Sequence, residues 1–133
     1  MRKYLPTLAE LIDRLTITQL KEVKIPEHKE EYSQEIKDIL HDIDLIFQNE
    51  GDLVSNADFI REIIVLSQMN LHIWNNEDNA RNGIDTDNQL RLTHGINGIR
   101  NTAKNKIQEK IGGRKDYKID CLASDFKDWE ITW

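Results

Sequence analysis

The chain of 133 residues contains one cysteine, two prolines and six glycines, and aromatic side chains make up 7% of it. With a single thiol, Cys121, an intrachain disulfide framework and a cysteine-rich zinc site are excluded, and a reducing compartment is expected. Pro6 and Pro26 each stand just ahead of a helical pattern, where proline is tolerated, so neither breaks a helix interior. No apolar run approaches the ~20 residues that a membrane span needs. Arg2 and Lys3 are followed too soon by Glu10 and Asp13 for a signal-peptide apolar core. Glycine-rich phosphate loops, a G-x-S-x-G elbow and zinc-ligand spacings are all missing. The expectation is a cytoplasmic protein with no membrane partner, folded as one domain over residues 1–133.

Charge is abundant but unevenly placed. Eighteen basic residues stand against 24 acidic ones, a net of −6, which disfavours long nucleic acids as partners. Between Glu27 and Glu50, eight acids accompany two bases. Between Asn88 and Lys115, seven bases accompany the single acid Glu109. The two segments are either complementary flanks of neighbouring helices or, in the basic one, the wall of an anion site for which phosphate is the obvious occupant.

Four segments repeat apolar residues with a 3.6-residue rhythm, which predicts an all-α, antiparallel four-helix bundle over residues 7–113. The first spans Thr7–Val23, with Thr7 and Glu10 at capping-box spacing and Leu8, Leu11, Ile12 and Leu15 on one face. The second spans Pro26–Gln48, striped by Tyr32, Ile36, Ile39, Ile43, Ile46 and Phe47. The third begins after Ser55 or Asn56, runs to Arg81, and is apolar over so wide an arc that it is expected to be the central, most buried helix. The fourth begins near Asp87, is striped by Leu92, Ile96, Ile99, Ala103 and Ile107, and stops at Gly112-Gly113. Residues 114–133 alternate apolar and polar positions and hold Trp129 and Trp133, so an extended or short β tail docked on the bundle or on a neighbouring subunit is expected.

Polar residues interrupt this pattern where they are costly. At about 100° per residue, Asn70, Trp74, Glu77 and Arg81 fall within about 60° of one another on the third helix. On the fourth helix Arg100 lies close to the centre of the apolar stripe, flanked by Asn97 and Lys104. A short loop between the two helices would bring Arg81 near Arg91 and the Trp74–Glu77 turn near Ile96–Arg100. Asn70, Trp74, Glu77, Arg81, Arg91, Asn97 and Arg100 therefore form a candidate inter-helix pocket for an anionic small molecule such as a nucleotide or phosphosugar. In it the arginines would hold the anion, Trp74 would stack, and Glu77 would be the candidate acid or base. The alternative is a buried polar network that fixes helix register and binds nothing, in a non-catalytic interaction module forming homo-oligomers.

Residues Asn70–Arg81 read N-x-x-[LI]-W-x-x-E-D-x-A-R, Arg91–Asn101 read R-x-x-x-x-[LI]-N-x-x-R-N, and Leu8–Lys21 read L-x-x-L-I-D-R-L-[ST]-I-x-x-L-K. Over about residues 8–110 the chain resembles a group of small all-α bacterial proteins known only as a domain of unknown function, found near glycosyltransferase genes. The resemblance implies a helical fold and draws attention to the same polar cluster; it implies no particular activity. On the second helix Glu31, Glu35, Asp38 and Asp42 form an acidic strip faintly similar to the Mg²⁺-binding helices of all-α nucleotide pyrophosphohydrolases, though without their E-E-x-x-E spacing. A Mg²⁺-dependent enzyme of that kind is a further alternative, a solvated acidic face the commoner meaning of such a strip.

Overall fold

The computed structural model describes residues 3–50, 57–110 and 131–133. Four α-helices account for most of them: α1 (Leu8–Lys24), α2 (Lys29–Glu50), α3 (Ala57–Arg81) and α4 (Thr86–Glu109). A single 3-10 turn, Pro26–His28, links α1 to α2. The expected start of the third helix at Ser55 or Asn56, the Gly112-Gly113 stop and most of the predicted tail lie outside the described residues.

Each helix end has a local cause. Thr7 is extended and its hydroxyl accepts from the backbone N–H of Glu10, which opens α1. The next exposed donor of that first turn, the Ala9 N–H, is satisfied from across the bundle by Gln108 Oε1 at 3.1 Å. Pro26 cannot donate a helical hydrogen bond, so the chain turns at Ile25 and restarts as α2. The end of α3 is a Schellman turn: Ile84 N–H donates to Asn79 O (2.9 Å) and Gly83 N–H to Ala80 O (3.0 Å). That geometry requires Gly83 at φ +75°. A Cβ there would touch nothing within 4 Å. Gly83→Ala is therefore expected to cost only the left-handed backbone penalty, about 1–2 kcal/mol, seen as a lower denaturant midpoint with an unchanged slope.

The helices pair as two hairpins. α1 and α2 run antiparallel, with Thr18 beside Glu35 and Lys21 over the Tyr32 ring. α3 and α4 run antiparallel along their lengths, with Asn70 beside Arg100 and Glu62 beside Lys110. α1 then lies in the groove of the second hairpin, touching both α3 and α4, while α2 packs chiefly on α1 and reaches α3 through the Phe47–Phe59 ring contact. The core runs through Leu8, Ile12, Ile39, Phe59, Leu66, Ile96 and Ile107. Of the tail, only its last three residues are described, and they lie against the bundle. Ile131 packs on the core, Thr132 accepts from Arg61, and the Trp133 ring lies 5.0 Å from Lys106 Nζ.

Two expectations about neighbours are corrected. The central helix is α1, not α3: α1 packs on each of the three others, whereas α3 packs chiefly on α4 and meets α2 at the Phe47–Phe59 rings, and the buried residues of α1 span a wide arc from Thr18 through Leu8 to Asp13. The wide apolar arc of α3 is two separate stripes, of which one faces the core and the other leaves Ile60, Ile64 and Leu71 exposed. Nor is α4 the neighbour of α2. Its bases meet acids of α1 and α3 instead, Arg100 and Lys104 at Asp13, and Lys110 at Glu62.

Candidate functional site

The buried polar cluster is assembled by three helices rather than two. Asp13 comes from α1, Asn70 from α3 and Arg100 from α4, and each lies on its helix where the apolar stripes converge. Asn70 Nδ2 donates to Asp13 Oδ1 at 2.8 Å and to Thr16 Oγ1 at 2.7 Å. Asn70 Oδ1 accepts from Arg100 Nε at 2.8 Å. The guanidinium completes the ring by donating to Asp13 Oδ2, and it also donates to Asn101 Oδ1 at 3.3 Å. Lys104 Nζ stands 3.8 Å from Asp13 Oδ2. The Asp13 side chain retains 10% of its exposure and Arg100 20%, so water does little to relieve either charge. One carboxylate thus faces two cations in a mostly dry interior, and the amide of Asn70 ties the pair to α3.

Of the residues expected to form a pocket, the structure unites two. Asn70 and Arg100 meet as described, whereas Glu77, Arg81 and Arg91 are exposed, and Trp74 and Asn97 are half-buried. The reason lies in the reach of α1. Every buried residue of α3 is at or before Asn70, and every buried residue of α4 is at or after Thr93. Leu71–Leu92 therefore form a two-helix arm, about 15 Å along α3 and about 10 Å along α4 by helical rise, in which no residue is fully buried. The polar face of α3 begins at Asn70 inside the bundle and continues through Trp74, Glu77 and Arg81 out along the arm. Near its tip Glu77, Ala80, Arg81 and Leu90 border an open hollow of about 360 Å³. The Arg81 Nε–H turns back onto the Glu77 carbonyl at 3.5 Å.

A second hollow, about 340 Å³, lies between α1 and α2 and is bordered by Glu10, Asp13, Arg14, Thr18 and Glu35 among others. Its charges are of both signs and favour neither anion nor cation. The acidic strip of α2 stays at the surface. Glu31, Asp38 and Asp42 are exposed, Asp38 accepts from Gln34, Asp42 lies 3.2 Å from His41, and half-buried Glu35 accepts from Thr18. Among the described residues no three histidine, cysteine or acidic side chains are grouped to hold a metal ion, and no helix is long and apolar enough to cross a membrane.

The residue that organises the cluster, Asp13, was not legible as such. It sits beside Ile12 on a helix whose apolar stripe looks narrow when read alone, so it passes for a surface acid. The available signal was indirect: Arg100 lies on an apolar stripe and needs a buried acid, and Glu77, the acid the sequence places near it, stands exposed on the arm. A comparison of the chain with known protein families, with curated proteins and with solved structures finds no match.

Proposed function

We propose that the chain is a non-catalytic helical interaction module, acting in the cytoplasm, whose interior charges serve its architecture. The observation that carries this reading is the closed ring of Asp13, Asn70 and Arg100. Their polar groups are directed at one another and at Thr16, Asn101 and Lys104. Turning Arg100 toward a ligand anion would strand the Asp13 carboxylate in the interior, at a cost of several kcal/mol, about what a buried charge loses with its partner. A network of this kind specifies one register for three helices. The arm contributes the other half of the reading, a length of paired helix that stands beyond the buried core.

One feature supports a second reading. The hollow at the arm tip has the volume of a small-ligand site and holds two of the pocket residues predicted from sequence, Glu77 and Arg81. There Arg81 would hold a nucleotide or sugar phosphate, with Trp74 one turn back on α3 and Glu77 as acid or base. A thermal-shift screen of nucleotides and sugar phosphates, with and without Mg²⁺, separates the two readings. The interaction module is expected to show no shift. A ligand at a hundred times its dissociation constant would add about 2.7 kcal/mol and raise the midpoint by several degrees. Such a shift, lost in Arg81→Ala, would establish the second reading.

A further inference from the structure

The outward face of α3 carries a second apolar stripe, about 160° around the helix from its buried one at 100° per residue. Its members are Ile60, Ile64, Ser67 and Leu71, spaced 4, 3 and 4 residues apart, with half-buried Trp74 at its edge toward Asn70. That alternation is the seam spacing of helices that pair with other helices. Ile60 is 54% exposed, Ile64 50% and Leu71 39%, and Ser67 is exposed as well. Isolated exposed leucines and isoleucines are ordinary on protein surfaces. Three of them in register along one helix, Ile60, Ile64 and Leu71, are not.

The charge around the stripe points to what covers it. From Ile63 to Asn76 the chain has fourteen residues, and His72 is the one ionisable side chain among them. Its other exposed polar residues, Ser67, Gln68 and Asn75, carry no charge. Depletion of charge around an apolar centre is the compositional mark of an interface core. The rest of the molecule argues for a second copy of the chain as occupant. Each copy carries a net charge of −6, so two copies repel wherever their acidic faces meet. The uncharged face of α3 is where they can approach without that penalty. The ends of the stripe choose the direction. Asp78 lies on its axis at one end and Arg61 flanks the other. A parallel pair would set Asp78 against Asp78, whereas an antiparallel pair carries each Asp78 toward the partner's Arg61 end.

We propose that the outward stripe of α3 is a self-association surface, on which two copies of this chain pair antiparallel about the small side chain of Ser67. The proposal rests on the interaction-module reading and gives that module its partner. Sedimentation equilibrium across the micromolar range tests it. The full chain is expected to show a reversible dimer, at twice the chain mass. Ile64→Arg and Ile60→Arg are each expected to leave a monomer with unchanged helicity and an unchanged melting curve at monomeric concentration. Leu40→Arg, a comparably exposed change on α2, is expected to stay dimeric. For direction, spin labels at Asn75→Cys in a Cys121→Ser background are expected to lie far apart in the dimer, and labels at Gln68→Cys, beside the crossing point, close together.

A chain that stays monomeric throughout would overturn the proposal. So would a dimer that survives both arginine variants, although that result would leave the interaction-module reading standing on another surface. Loss of helicity in both variants would overturn it too, by placing the stripe inside the fold. Close Asn75→Cys labels would overturn the antiparallel direction. A ligand-induced thermal shift with the dimer intact would instead strike the interaction-module reading alone.

Discussion

Asp13→Ala is expected to destabilise the fold by about 3–5 kcal/mol, the range for removing one partner of a buried ion pair. The loss is large because the carboxylate answers two cations and an amide at once. Without it Arg100 and Lys104 face each other across a mostly dry interior, and Asn70 keeps only Thr16 as an acceptor for its donor group. Stability of domains this size totals about 5–15 kcal/mol, so the variant should melt far below the parent. Asn70→Ala removes no charge, only the hydrogen bonds to Asp13, Thr16 and Arg100, and is expected to cost less, about 1–3 kcal/mol. The informative control replaces the pair together. Asp13→Leu with Arg100→Met exchanges charges for apolar volume, and such exchanges are often neutral or stabilising. If the double variant recovers most of the loss, the pair serves register and not net stability. Urea unfolding followed by circular dichroism reads all four proteins, and a loss under about 0.5 kcal/mol in Asp13→Ala would show that the charges are solvated.

The contrast between what could and could not be read from the residues follows from how far each signal reaches. Helix positions rest on local rules. The Thr7 cap, Pro26 between helices and the short spacer between α3 and α4 act within a few residues, and the structure places α1, α2, α3 and α4 within a few residues of expectation. Neighbour relations do not. A period of 3.6 reports that a face is apolar, not what lies against it. α3 shows this directly: its two apolar stripes sum to a broad arc, which reads as a central helix, although one stripe meets no other helix of the described residues. α1 shows the converse, since a short helix with a modest stripe became the centre because its neighbours lie on both sides. The polar cluster was half legible. Asn70 and Arg100 stand out because each interrupts an apolar face, and Asp13 does not because it lies at the edge of the stripe of α1. The pocket expected from Trp74, Glu77, Arg81 and Arg91 depended on a third helix covering the outer half of the hairpin, and α1 stops covering it at Asn70.

The two stripes of α3 make a sharp test, because adjacent residues belong to opposite faces. Phe59 is 2% exposed, and its ring meets Phe47 edge-on at a centroid distance of 6.2 Å, the contact by which the end of α2 reaches α3. Phe59→Ala is expected to cost about 3–5 kcal/mol from lost burial and the cavity left behind. Some of that cost is specific to the ring pair, about 0.5–1.5 kcal/mol, so Phe47→Ala should cost that much less in the Phe59→Ala background than in the parent. Ile60→Ala, one residue on, is expected to change monomer stability by no more than about 0.5 kcal/mol, as exposed positions do. The two variants must be compared at a concentration where the chain is monomeric, because any binding to the native state adds apparent stability. Raising the concentration then separates the faces a second time. Melting of the parent and of Phe59→Ala should rise as dimers form, while that of Ile60→Ala should rise less. A Phe59→Ala loss no larger than that of Ile60→Ala would mean that α2 is not held to α3 through this ring. Equal concentration dependence in the parent and Ile60→Ala would mean that Ile60 contributes nothing to association.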